Sequence, residues 1–268
     1  MKRRHAIITG GSSGIGLEIA KSLLQEGYNI SIIARDSARL QSAYEQLLVL
    51  SPDPDLRVCQ FSSDVTDKTG IDATIRSAVD KNGPPDLIVT SAGVTRPGYF
   101  LKLPTEIFEQ IMSVNYLGTV YSVKAVTPLM CAQGHGHIVM ISSGAGLVGL
   151  FGYSAYSPSK FAVRGFAESL RTELKNYGIS VSVVYPPDTN TPQLREELSY
   201  KPPETRAITG KARVLSPEKV AREILKGIKT NRFSITPGLS MTILGLTHSL
   251  INPVLHIYFD YLVKRTNK

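Results

Sequence analysis

A three-layer α/β architecture, with helices on both faces of a doubly wound parallel sheet, is the fold this sequence predicts. Short apolar or β-branched runs recur along the chain, segments of helical periodicity lie between them, and a glycine cluster separates the first run from the first helix. Alternation of this kind marks a parallel sheet covered on both sides, and strands buried on both faces read as continuous hydrophobic runs. The 268 residues suit one sizeable α/β domain. A core over residues 1–190, a substrate lid with the last helix and strand over 191–236, and an apolar segment over 237–268 are the expected divisions.

The expected strands are HAIIT (5–9), NISIIA (29–34), RVCQFS (57–62), DLIVTS (86–91), HIVMIS (137–142) and SVSVVY (180–185). The basic start, MKRRHAIITGG, superficially resembles a signal peptide, but its apolar run is too short and turns straight into glycines, so it reads as the first strand. A long helical stretch is expected from Pro104 to Gln133, and the longest non-periodic segment, about 186–215, reads as a lid. Cys59 and Cys131 lie in apolar stretches without metal or redox spacing, which predicts two buried thiols in a reducing, cytoplasmic compartment.

The cluster Gly10-Gly11-Ser12-Ser13-Gly14-Ile15-Gly16 follows a strand and opens a helix. Glycines there permit a tight turn, and helix-start N–H groups then approach a pyrophosphate that the helix dipole favours. This makes the fold Rossmann-type, with Gly10, Ser12, Ser13, Gly14, Ile15 and Gly16 as the expected phosphate cradle. At the end of the second strand IIARDSARL places Arg35 before Asp36, with Arg39 one turn on. An arginine fork matches a 2′-phosphate, whereas a carboxylate would bond the ribose, so the cofactor expected is NADPH.

In SAYSPSK, Tyr156 and Lys160 stand four apart, the spacing of one helical face. An ammonium about 5 Å from a phenol, at an effective dielectric near 20, contributes on the order of 3 kcal/mol, which predicts a phenol made more acidic by roughly two pKa units. Pro158 is tolerated only in a helix's first turn, so the helix is expected to begin around Ser154–Pro158 with Tyr156 at its mouth. Ser143 ends the HIVMISS strand on the same side, and Asn115 lies in MSVNYLG within the long helical stretch.

Taken together, TGGSSGIG, the asparagine of VNYLG, ISS thirteen residues before the tyrosine and Y-x-x-x-K resemble the short-chain dehydrogenase/reductase family over about residues 3–190. That resemblance implies Tyr156 as proton donor to a carbonyl oxygen, Ser143 as its polariser, and Lys160 as ribose ligand and modulator of the phenol. It implies that Asn115 bends its helix and holds a water for proton relay. It also implies that Asp64 contacts the adenine, that Ala92 and Gly93 shape the turn after the fourth strand, and that Pro186, Thr189 and Thr191 contact the nicotinamide. Two departures stand out: Thr90-Ser91-Ala92-Gly93 replaces the family's Asn-Asn-Ala-Gly, and Pro186-Pro187 replaces Pro-Gly.

VNYLGTVYSVKAV, YPPDTNTP and PETRAI are similar to the branch of the family that reduces the ketone of long-chain sphingoid bases. Such a base carries an ammonium beside its ketone, which Arg195, Lys201, Arg206, Lys211 and Arg213 of the lid would repel, so Asp188 is the expected acidic partner. Reduction of another lipid carbonyl is the alternative within enzymes, and a non-catalytic NADP-binding regulator the alternative outside them. The formal charge of +8 agrees with anionic partners, but the cations are scattered without a recognition element, so no nucleic acid is expected. The apolar stretch LSMTILGLTHSLINPVLHIYFDYLVKR is interrupted into two runs too short to span a bilayer, and is expected to lie on a cytosolic membrane face or pack within the protein. Its His248 and His256 read as core or edge residues, and no metal is expected. Family resemblance further implies a homodimer or homotetramer paired through helices near 104–133 and 157–177.

Overall fold

The computed structural model describes residues 3–51, 53, 55, 57–210 and 214–266, so Lys211 and Arg213 lie outside the described residues. Seven parallel strands run in the order β3-β2-β1-β4-β5-β6-β7: β1 His5–Thr9, β2 Asn29–Ala34, β3 Val58–Ser62, β4 Leu87–Thr90, β5 Gly136–Ile141, β6 Ile179–Val184 and β7 Ser234–Ile235. Strand order reverses between β1 and β4, which opens a crevice beyond their carboxyl ends.

Alternate residues of each strand feed opposite layers. Ala6, Ile8, Ile30 and Ile32 face α1 (Gly14–Gln25), α2 (Ser37–Leu50) and α9 (Pro217–Lys229). Ile7, Ile33, Ile88 and Ile138 face α3 (Lys68–Asn82), α5 (Gly118–Gln133) and α6 (Tyr156–Glu173). Full burial of such a side chain contributes about 1.5–3 kcal/mol, and continuous Ile/Val runs are what a sheet covered on both faces requires.

Three elements differ from the sequence expectation. The stretch from Pro104 to Gln133 is α4 (Thr105–Met112), a π-helical turn over Ser113–Leu117, and then α5. The lid is helical, with α7 (Pro192–Leu198) and α8 (Pro203–Thr209), each carrying proline in its first turn; Thr191 caps α7 by accepting from Leu194 N–H at 3.2 Å. The last segment is one helix, α10 (Leu239–Thr266), with Pro253 inside it. Its Leu244, Leu255 and Phe259 pack on the core, whereas Leu239, Ile243, Leu246, Leu250, Val254, Ile257 and Tyr261 form an exposed row. Among the described residues no helix is long and apolar enough to cross a membrane. Cys59 and Cys131 are unpaired and half-buried rather than buried.

Candidate active site

A cavity of about 540 Å³ lies beyond the strand tips, and its wall contains Gly10, Ser12, Ser13, Gly14 and Ile15 at one end. Gly10 has φ +68°, and a methyl group built on it would stand 2.5 Å from Ala92 N; one on Gly16 would stand 2.4 Å from Gly10 O. These contacts seat the β1–α1 turn against the end of β4, so Gly16 acts on the cradle from behind the wall. Ser13 precedes α1 without a side-chain cap and no acidic residue occupies the first turn. The helix start therefore keeps its positive end for an anion, and the cradle fits a pyrophosphate.

Arg35 and the half-buried Asp64 lie on the same wall, joined at 3.4 Å, and the exposed position of Arg35 leaves its guanidinium open to a further anion. Asp64 also accepts from Thr66 N–H at 2.9 Å and from the Thr66 hydroxyl at 2.8 Å. Asp36 caps α2, accepting from Ala38 and Arg39 N–H at 3.1 and 3.0 Å, so its carboxylate is occupied locally. Arg39 lies 3.3 Å from Asp36 and outside the cavity wall, which separates it from Arg35, the residue it was expected to assist.

Ala92, Gly93, Pro186, Thr189 and Thr191 line the middle of the cavity. Lys160 Nζ donates to Ile141 O at 3.1 Å and lies 5.6 Å from the centre of the Tyr156 ring. Tyr156 is the first residue of α6 and Pro158 the third, within the turn where a missing N–H costs no helical bond, as the proline predicts. Ser143 sits just past β5, where its Oγ accepts from Ala145 N–H at 3.2 Å and also shares a hydrogen bond with the Tyr156 hydroxyl.

Asn115 is 1% exposed and stands behind the cavity wall. Its Oδ1 accepts from Val94 N–H at 2.8 Å, and its Nδ2 donates to Val94 O at 3.0 Å and to Ser159 Oγ at 2.9 Å. Both amide hydrogens are thus committed to protein partners. The local departure from α geometry, which the resemblance implied as a bend, is the π-helical turn around this residue.

The electrostatics correct one expectation. Burial, aided by the negative charge of Glu197, raises the Tyr156 phenol above its ordinary value, and hydrogen bonds from Ser143 and Gln193 only partly oppose this. The net result is a phenol less acidic than usual, not more acidic as expected. Burial also pushes the Lys160 ammonium down to about 8.

The remaining wall was not anticipated. Gln193 and Glu197, four apart on α7, both face the cavity beside Tyr153 and Tyr156, whose ring centres are 5.7 Å apart. The Tyr153 hydroxyl donates to Glu197. Lys201 Nζ lies 2.9 Å from Glu197 Oε1 and 3.4 Å from Asp188 Oδ2. Arg206 donates to the Leu198 and Lys201 carbonyls, and Arg195 to Asn190, so neither acts as a free cation toward the crevice. Thr191-Pro192 is the local signal that could have placed Glu197 on a helix face. The approach of that face to Tyr156 depends on tertiary packing. From α10, Met241, Leu244, Leu255 and Phe259 complete an apolar end of the cavity.

A family model described as short chain dehydrogenase matches residues 4–201. A 3-ketodihydrosphingosine reductase of Dictyostelium discoideum is 41% identical, the alignment covering 98% of this chain and 83% of the relative. One of Mus musculus is 43% identical over 87% of this chain and 71% of the relative. Among solved structures, an actinorhodin polyketide ketoreductase variant with NADPH superposes with a TM-score of 0.78 at 28% identity, covering 87% of this chain and 95% of that one. The family match over most of the chain, the two relatives and the sheet order place this chain in the short-chain dehydrogenase/reductase family of oxidoreductases.

Proposed function

We propose that this chain is an NADPH-dependent reductase of a long-chain amino ketone, converting 3-ketodihydrosphingosine to dihydrosphingosine. The observation that carries the reading is the meeting of Tyr156, Ser143 and Lys160 in one cavity with a phosphate cradle at one end and the apolar α10 residues at the other. The relatives' names agree with it.

In this reading Gly10, Ser12, Ser13, Gly14 and Ile15 hold the pyrophosphate, Gly16 supports their turn, and Arg35 receives the 2′-phosphate while Asp64 borders the adenine. Arg39 contributes only charge at a distance. Ala92, Gly93, Pro186, Thr189 and Thr191 frame the nicotinamide end, and Lys160 binds its ribose. When bound, the reduced nicotinamide supplies hydride to the carbonyl carbon. Ser143 donates a hydrogen bond to the carbonyl oxygen, and Tyr156 delivers its proton there as negative charge develops. The raised phenol keeps that proton available at neutral pH. Asn115 positions Tyr156 through Ser159. Asp188 borders the substrate's polar end, and Leu244, Leu255 and Phe259 take part of its hydrocarbon chain.

The exposed row of α10, ending in Lys264 and Arg265, meets the membrane from which such a lipid comes; sedimentation with anionic vesicles checks this. The reductase reading itself is tested by NADPH oxidation with 3-ketodihydrosphingosine against other ketones. Tyr156→Phe is expected to lower kcat by about 10²–10⁴ while NADPH binding changes little. Turnover of an unrelated carbonyl class in preference to the amino ketone overturns the substrate, and full activity of the phenylalanine variant overturns the proton donor.

A further inference from the structure

Resting on the amino-ketone reading, we propose that Glu197 of α7, assisted by Asp188, is the specificity-determining site for the substrate's ammonium, with Lys201 as an internal counter-ion behind it. Both carboxylates line the cavity, whereas the Lys201 side chain, 2% exposed, approaches them from outside the wall. One ammonium thus serves two carboxylates, and the excess negative charge faces the cavity. Two carboxylates sharing one ammonium leave a site that attracts one more cation from the cavity side.

Among the described residues, the other cations on that wall do not provide it. Lys160 is turned to Ile141 O on the cofactor side, and Arg35 is paired with Asp64 at the far end. The Tyr153 hydroxyl, donating to Glu197, fixes the carboxylate beside the Tyr156 ring. A ketone held by Tyr156 and Ser143 therefore brings a nitrogen on the adjoining carbon toward Glu197. A primary ammonium one carbon from the ketone is the chemical class that fits.

Recognition and chemistry are coupled here. The Glu197 charge, together with burial, holds the Tyr156 proton in the free protein. A cation placed beside Glu197 offsets that charge and makes the phenol a better acid. Losing the ammonium should then lower kcat as well as raise KM, which a residue serving only as a structural lock would not produce.

The test measures NADPH oxidation by the full chain with the amino ketone and with a ketone of equal chain length lacking nitrogen. The wild type is expected to favour the amino ketone at least tenfold in kcat/KM. Glu197→Gln should reduce that value about 100-fold for the amino ketone, the scale of losing one partner of a desolvated charge pair, and leave it unreduced or raised for the other, since the charge that holds the Tyr156 proton is gone. Lys201→Met should lower KM for the amino ketone alone, and decides the matter where the glutamine variant does not fold. Equal wild-type efficiency on both ketones, equal loss on both in Glu197→Gln, or an unchanged or raised amino-ketone KM in Lys201→Met overturns the ammonium site while leaving the reductase reading intact. Absence of turnover with either ketone overturns the reading on which the site rests.

Discussion

Asn115 of the π-helical turn and Ser159 of α6 are joined side chain to side chain: the amide donates to Ser159 Oγ at 2.9 Å, and that hydroxyl passes its own hydrogen to the Tyr156 carbonyl at 2.7 Å. The backbone carrying the proposed proton donor is thereby set by a residue outside the cavity wall. Replacing Asn115 with leucine leaves the half-buried Val94 N–H and carbonyl, and the buried Ser159 hydroxyl, without these partners. The expected outcome is a loss of about 2–4 kcal/mol in urea unfolding, with kcat falling more than NADPH affinity. Unchanged stability would show that the network is dispensable.

Arg35 is the cavity's open guanidinium beside the end of β2. Arg35→Ala is expected to reduce the NADPH-to-NADH preference by about tenfold or more, the scale of a lost charge-assisted contact. Steady-state kinetics with both cofactors reads it, and an unaltered ratio removes Arg35 from the assignment.

Burial lowers the Lys160 ammonium to about 8 from its ordinary 10.5. Between pH 8 and 10 the unfolded chain holds a proton that the folded chain has released, so stability rises with pH by about 2–3 kcal/mol from this group. Above pH 10 the raised phenols of Tyr153, Tyr156 and Tyr185 act oppositely, because the folded chain keeps protons that the unfolded chain loses. Denaturant midpoints of wild type and Lys160→Met across that window are expected to differ in slope; parallel curves refute the shift.

His137 is lowered by burial to about 4, with its Nε2 2.7 Å from Ser182 Oγ. The Ser182 hydroxyl donates to Arg232 O at 2.6 Å, so His137 is the donor to it and is neutral. Between about pH 6.5 and 4 the unfolded chain binds the extra proton, and stability is lost as pH falls, by about 3 kcal/mol from this residue. His137→Gln should start less stable at pH 7 and lose correspondingly less on acidification to pH 4.5. An identical acid loss in both proteins contradicts the assignment.

The sheet was legible because the physics of its strands is local in sequence: HAIIT and NISIIA coincide with β1 and β2 since two covered faces demand unbroken apolar runs. The start of α6 followed from Pro158, and the cradle from glycines that only a close backbone approach explains. The lid was harder, since α7 and α8 are seven residues each and too short to establish a periodicity. The polar residues of α10 suggested breaks, yet a helix resting one side on a core tolerates Asn252 and Pro253. Glu197 stayed hidden because its meaning comes from Tyr153 and Tyr156, more than forty residues earlier, and no local pattern encodes that approach.

The two sides of α10 belong to one rod. Met241, Leu244, Leu255 and Phe259 floor the crevice, while Leu246, Leu250, Val254 and Ile257 look outward from the same turns. The inner and outer rows alternate along the same turns, so a substitution in either row falls on the helix that closes the apolar end of the cavity. A polar tie holds that helix to α6: the Arg164 guanidinium stands 2.9 Å from His248 Nε2.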